Sequence, residues 1–244
     1  MHRVLIPPGA VCGDTITVAD PDEVHHLVRV LRVRTGEPLE CFDGHGRVYA
    51  GRMILCTPKA VTVAIEQRRE VPPPHPSIVL AQALIQAQRF EWVIQKATEL
   101  GAARIIPIIT SRTTVRQTHP GDGQRLLRWR RIAQEATAQC GRATLPTVEA
   151  PQRFDHVLKT LASRYVLMPT LVERATPLKE HVGQMGGMDE VVVLIGPEGD
   201  FSPEEVALAK GAGVRTVTLG ETTLRSETAA IAILAILQHI LGTL

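Results

Sequence analysis

Five residues, Pro72-Pro73-Pro74-His75-Pro76, divide a 244-residue chain into two stretches of different rhythm. Proline fixes φ and removes a backbone donor, so neither a helix nor an interior strand runs through such a cluster, and a semi-rigid extended linker results. Before it, Asp14 to Ala19, Leu39 to Phe42, Arg47 to Leu55 and Ala60 to Glu66 read as short strands, joined by turn signals such as Asp43-Gly44-His45-Gly46 and Thr57-Pro58-Lys59. This pattern predicts a small β-barrel or meander over residues 1–71. One helix interrupts it. Asp20 caps, Pro21 suits the first position, Glu23 completes a capping box, and Val24, Leu27, Val28 and Leu31 form an apolar stripe, with His25, His26, Arg29 and Arg32 on the other face.

Beyond the linker, over residues 77–244, strands alternate with amphipathic helices, which argues for a largely parallel sheet covered on both faces. The expected strands are Ile78 to Leu84, Arg104 to Ile109, Tyr165 to Met168, Val191 to Ile195 and Val214 to Leu219. The helices between them are marked by Phe90, Val93, Ile94, Ala97 and Leu100; by Leu126, Trp129, Ala133, Ala136 and Cys140; and by Phe154, Val157, Leu158 and Leu161. A final helix, Ser226 to Leu241, is apolar almost all round and is expected to be buried on nearly every side.

Several classes fall away at this level. The apolar run Ala229 to Leu237 is nine residues, half of the ~18 that suggest a membrane span, and the first residues lack the apolar core of a signal peptide, so a soluble cytoplasmic protein is expected. Cys12, Cys41, Cys56 and Cys140 have no zinc-like spacing, and no metal is expected. The net charge is only +2, but 22 of the 27 cations are Arg, whose planar fork matches phosphate. From Arg112 to Arg142 seven Arg face two acids, Asp122 and Glu135, a local net of +5. A net of +2 does not by itself advertise a nucleic-acid partner, but Arg112, Arg116, Arg125, Arg128, Arg131 and Arg142, with His25, Arg29 and Arg32 from the first stretch, would suit the phosphates of an RNA, the alternative being a merely solvated face. Aromatic residues make up only 3%, which disfavours recognition of single strands by stacking on several rings.

Ligands of parallel sheets sit outside the carboxyl ends of strands, so the segments there are the candidate site. They are Met168-Pro169-Thr170; Ile195-Gly196-Pro197-Glu198-Gly199-Asp200; and Leu219-Gly220-Glu221-Thr222-Thr223-Leu224-Arg225-Ser226-Glu227. The second resembles a phosphate loop but carries neither GxxxxGK[ST] nor GxGxxG, and Glu198 and Asp200 would repel a phosphate. A ligand that is neutral or cationic at the contact fits better. Ser202, Pro203 and Glu205 then start a helix, so a plain strand-to-helix turn explains the spacing equally well.

The pair "LIGPEGDFSPEEV" and "LGETTLRSETAAIAIL" resembles the cofactor loops of SPOUT-class RNA methyltransferases. With "QKATELGAARIIPIITSRTTVR", "RWRRIAQEATAQCGRATLP" and "HHLVRVLRVRTGE", the resemblance narrows to the RsmE family and covers essentially the whole chain. It implies an α/β, trefoil-knotted methyltransferase domain behind a smaller N-terminal PUA-like β-barrel that binds RNA. It also implies S-adenosylmethionine as cofactor, N3 of a uridine in 16S rRNA of the small ribosomal subunit as target, and a homodimer built partly on the last helix. A related enzyme acting on another RNA position, such as ribose 2′-OH, and a non-catalytic RNA-binding or assembly module are the alternatives. Carried onto this sequence, Met168, Pro169, Thr170, Ile195, Gly196, Pro197, Glu198, Gly199, Leu219, Gly220, Leu224 and Ser226 would hold the cofactor. Arg225 would stabilise an anionic uracil and Glu227 would accept the N3 proton, unless the two merely serve an ion pair and a helix N-terminus. Asp200 stands where the family usually has a second glycine; if the position needs positive φ, Asp tolerates it better than most residues.

Overall fold

The computed structural model describes residues 1–114, 122–161, 164–185 and 187–241. The chain forms two compact units, Met1–Pro73 with Thr137–Leu145, and Pro74–Ala136 with Pro146–Leu244, each with its own core.

The first unit is a six-stranded sheet of β1 (His2–Leu5), β2 (Val11–Cys12), β3 (Thr15–Val18), β4 (Pro38–Phe42), β5 (Arg47–Cys56) and β6 (Val61–Glu70). Its order is β1-β4-β5-β6-β3-β2, antiparallel except that β1 runs parallel to β4. Between β3 and β4 lies α1 (Pro21–His25), with Asp20 accepting from the N–H groups of Asp22 and Glu23 at its start. The expected helix does not continue regularly, because residues His26–Val30 form a π-helical turn and Arg32 follows with φ 55°. The apolar stripe survives this change, since Val24 and Leu27 are buried in the core and Val28 and Leu31 pack against it.

Segment Thr137–Leu145 belongs to this unit for a reason no periodicity reveals. Arg3 on β1 pairs with the nearly buried Glu40 at 2.6 Å and donates to the carbonyls of Thr137 and Arg142 at 3.2 and 3.1 Å. A guanidinium thereby adds charged donors to carbonyls at the end of one helix and in the turn after it. Phe42 and Val48 complete the joint by packing with Ala143 and Ala138.

The second unit contains β7 (Ser77–Ala83), α2 (Ala87–Glu99), β8 (Arg104–Ile109), α3 (Asp122–Cys140), β9 (Thr147–Val148), β10 (Gln152–Arg153), α4 (Phe154–Thr160), β11 (Tyr165–Pro169), β12 (Thr176–Pro177), β13 (Glu190–Ile195), α5 (Pro203–Gly211), β14 (Arg215–Thr218) and α6 (Ser226–Ile240). Residues Asp122–Ala136 of α3 lie in this unit. The strands make one parallel sheet in the order β10-β8-β7-β13-β11-β14-β12, with β9 beside β8. Alternation along the central strands divides the core in two. Ile78 and Leu80 of β7 and Val191 and Val193 of β13 face Phe90, Val93, Trp129, Ile233 and Leu237 from α2, α3 and α6. Val79, Ala81, Val192 and Leu194 face Phe154, Val157, Phe201 and Val206 on the side of α4 and α5. A sheet buried on both faces explains why these strands read as continuous apolar runs. Among the described residues no helix is long and apolar enough to cross a membrane.

One expectation changes here. The last helix is not covered on nearly every side within the chain: Ala230, Ile233, Leu234 and Leu237 are buried, but Ile236 is 40% exposed and Ile231, Ala232 and Ala235 are only partly covered. The sheet takes one stripe of a helix, and an apolar residue on the opposite stripe has nothing in this unit to pack against.

Candidate functional site

Strands β13, β11 and β14 are neighbours in the sheet, so their carboxyl ends open side by side. The segments that follow them line one pocket. Pro169 and Thr170 line it after β11; Ile195, Gly196, Pro197 and Glu198 line it from β13; Leu219, Gly220, Leu224 and Ser226 line it after β14. Asp200, Thr222 and Thr223, which lie in the candidate segments but outside the expected cofactor residues, and Leu171, Val217, Thr218 and Ala229, which were not expected, complete the wall.

Two expected cofactor residues do not reach it. Met168 is wholly buried among Val79, Val166 and Leu194, because alternation along β11 turns it into the core beneath α4 and α5. Gly199 lies beside the pocket rather than in its wall, and its carbonyl accepts from the Arg112 guanidinium at 2.7 Å.

The segment after β13 is tightly tied. The Ser226 hydroxyl donates to the Gly196 carbonyl at 2.5 Å and accepts from Nε2 of the buried Gln82 at 2.8 Å. A β-carbon on Gly196 would stand 3.1 Å from both Asp200 Oδ1 and the Phe201 ring, closer than most real contacts, so those neighbours would have to give by a few tenths of an ångström. Arg112 also donates to the Phe201 carbonyl at 3.2 Å. Helix α5 begins as expected: the Ser202 hydroxyl accepts from the Glu205 N–H, Glu205 accepts in return, and Pro203 takes the first turn. The other Glu205 oxygen accepts from the Ser111 N–H at 2.7 Å, joining the loop after β8 to this cap. The Ser202 hydroxyl also holds the Glu204 carboxyl below its usual range.

Asp200 has φ 58°, so the position does adopt the left-handed conformation that glycine accepts most readily.

Neither candidate catalytic residue is a wall residue. Arg225 precedes α6 with an exposed side chain and makes no ion pair with any described residue, so the alternative of a pair with Glu221 or Glu227 is not realised. Glu227 is 8% exposed; its Oε1 lies 3.7 Å from Nε of Arg89, and its Oε2 has no hydrogen-bond partner among the described residues. Arg89, on the first turn of α2, also stands 3.9 Å from Glu198, so one guanidinium faces a pocket carboxylate and the buried one. No motif marked Arg89. Gln82 was legible in principle, since a polar side chain inside the run from Ile78 to Ile85 must find a partner when buried.

The arginines expected to meet RNA are mostly engaged. Arg128 makes two hydrogen bonds to Glu91, 2.6 and 2.8 Å, which raise its pKa; Arg131 pairs with Glu135, and Arg125 lies over the Trp129 ring at 6.0 Å. Arg142 is half-buried, donates to Thr144, and is lowered from its ordinary pKa by that burial. In the first unit His25 and Arg29 line a groove with Lys59, and Arg32 is exposed. Arg116 lies outside the described residues.

With this geometry in hand, similarity to known proteins is informative. The family model described as "RNA methyltransferase domain" matches residues 72–238, and that described as "RNA methyltransferase PUA domain" matches residues 19–66. A curated relative from Synechocystis, ribosomal RNA small subunit methyltransferase E, is 31% identical, with 96% of this chain and 76% of the relative covered. A solved methyltransferase from Legionella pneumophila, in complex with bound SAM, superposes with a TM-score of 0.88 at 32% identity, covering 97% of this chain and 96% of the other. Ribosomal RNA small subunit methyltransferase E from Neisseria gonorrhoeae, bound to S-adenosyl methionine, gives 0.87 at 31% identity and covers 98% of each chain.

Proposed function

The chain belongs to the RNA methyltransferase family, and from that premise we propose that it transfers a methyl group from S-adenosylmethionine to N3 of one uridine in 16S rRNA of the small ribosomal subunit. The observation that carries the reading is the pocket between the three strand ends. Glu198 and Asp200 stand in its wall, and no lysine or arginine is among the described residues that line it. Such a wall suits a cation and disfavours a phosphate.

The cofactor fits these residues. Ile195, Leu219 and Leu224 supply apolar surface for an adenine, while Gly196, which has no β-carbon, lets main chain approach a ligand closely. When bound, S-adenosylmethionine supplies an electrophilic methyl group on a sulfonium, which needs no metal.

The protein's own part is to prepare the base. N3 of uracil is a poor nucleophile until its proton leaves. The buried Glu227 has a carboxylate oxygen without a donor, the state a proton acceptor requires, and Arg89 keeps that carboxylate oriented. Arg225, unpaired and exposed at the pocket's edge, stabilises charge on the uracil oxygens as it develops.

Other parts of the reading follow from the family. The first sheet curls into a PUA-like barrel over residues 1–71, the strand ends of residues 77–244 thread as a trefoil knot, and the protein works in the cytoplasm. The exposed apolar stripe of α6 around Ile236 pairs with its copy in a homodimer. The groove with His25 and Arg29 takes rRNA phosphates, as do Arg32, Arg112, Arg125, Arg128, Arg131 and Arg142.

The test is methyl transfer from S-adenosylmethionine into small ribosomal subunits lacking the modification, followed by nucleoside analysis and mapping. N3-methyluridine at one position is expected. A ribose 2′-O-methyl product would replace the target assignment, and no measurable S-adenosylmethionine binding would remove the enzyme reading altogether.

A further inference from the structure

Asp200 is the one pocket residue that combines a left-handed backbone with a fully engaged carboxylate. Its Oδ2 accepts from the Thr170 hydroxyl at 3.0 Å and from the Leu171 N–H at 2.7 Å, while Oδ1 accepts from the Phe201 N–H at 2.8 Å. Thr170 and Leu171 belong to the segment after β11, whereas Asp200 itself belongs to the segment after β13. Thr170, Leu171 and Asp200 all line the pocket, so the carboxylate ties two parts of its wall together. Arg112 grips the carbonyls of Gly199 and Phe201, either side of Asp200 in sequence, and the loop is thereby fastened at both polar ends. Glycine would adopt φ 58° with less strain, so the backbone alone does not call for an aspartate. What the side chain adds is the three hydrogen bonds, and bonds to a charged acceptor are among the stronger ones.

We infer that Asp200 is a positioning residue, a latch that holds the segment 170–171 against the segment 197–201 so that the cofactor pocket is shaped before its ligand arrives. Preorganisation of this kind removes an ordering cost from binding, and its loss shows as weaker affinity. The inference rests on reading the pocket as the S-adenosylmethionine site, and its test must separate the two.

Two variants remove the carboxylate with opposite backbone effects: Asp200→Gly relieves the left-handed conformation, and Asp200→Ala keeps it. Both should raise the Kd for S-adenosylmethionine by about tenfold, the order expected from losing charged hydrogen bonds that hold the wall. The KM for the cofactor should rise in parallel while kcat stays within about twofold, as it does when binding alone is weakened. In the ligand-free protein the Leu171 and Phe201 amides should lose hydrogen-exchange protection in both variants. Thr170→Val should give a smaller rise in Kd, and Thr170→Ser, which keeps the hydroxyl, should restore it. Affinity unchanged in both Asp200 variants, or a lowered melting temperature with unchanged affinity, overturns the latch. If the wild type binds no S-adenosylmethionine, the functional proposal fails; amide exchange without ligand still decides the latch, which is overturned by equal protection of Leu171 and Phe201 in wild type and Asp200→Gly.

Discussion

The segments after β13 and after β14 face each other across one pocket and are built in opposite ways. The first is fastened on every side, by Ser226 and Gln82 at Gly196, by Asp200 to Thr170 and Leu171, by Arg112 at its carbonyls and by the Ser202–Glu205 cap. The second is tied at its ends, by Thr218 with Gly220 at 2.9 Å and by Ser226 to Gly196 and Gln82, while between them Glu221, Thr222, Thr223 and Arg225 are exposed and their side chains bond to no described residue. A wall that must hold a ligand in one orientation gains from rigidity, because the ordering is done in folding. A segment meant to meet a large substrate gains from side chains left unpaired, since a guanidinium already in an ion pair would first have to leave it. On the function proposed above, the fastened segment would help hold the cofactor and Arg225 would be free to meet the base.

The sharpest break of that contrast is Gly196→Val. Its β-carbon would meet Asp200 and the Phe201 ring at 3.1 Å, so cofactor binding should be abolished in calorimetry, and overpacking should cost about 1–3 kcal/mol in denaturant unfolding. Arg225→Ala comes next: turnover should fall about 10²–10³-fold, the usual loss of a group that stabilises developing charge, with cofactor affinity unchanged. Unchanged turnover would take Arg225 out of catalysis. Ser226→Ala leaves the buried Gln82 amide only the Ala83 carbonyl at 3.1 Å and removes the bond to Gly196, and should lower stability by about 1–3 kcal/mol, measured by urea titration. The smallest effect should come from Ser202→Ala, about 1 kcal/mol for a lost helix cap, because the fastened segment keeps its other ties.

How far the chain could be read without coordinates varies with the range of the interaction involved. Strands β8 and β13 and the cap of α5 follow from local pattern, since alternation, β-branching and a Ser-Pro-x-Glu start act within a few residues. The pocket residues after β13 and β14 were equally accessible, because strand ends in a parallel sheet leave few other places for a ligand. Met168 failed for want of one parity: the residue before the last of β11 faces the core, and where a strand ends is the least certain part of such a reading. The partners of the basic run were illegible for another reason. A run of guanidiniums says nothing of which carboxylates stand opposite, and Glu91, 37 residues from Arg128, was found only in the folded chain.

Composition and spacing sufficed for the covered parallel sheet, the three segments at its strand ends and the absence of a phosphate-loop motif, all of them consequences of short-range sterics and charge, while Asp200 stood out only against the family's usual glycine. Folding added the contacts between residues far apart in the chain: Arg3 capping the carbonyls of Thr137 and Arg142, Arg89 beside Glu227, Gln82 beneath Ser226, and the carboxylate of Asp200 on Thr170 and Leu171. Hydrogen bonds and ion pairs act over a few ångströms of space and do not depend on sequence separation, so they leave no periodic trace in the sequence. At Asp200 the two levels meet. The tetrapeptide around it announces a turn, and only the neighbouring loop shows what the side chain is for.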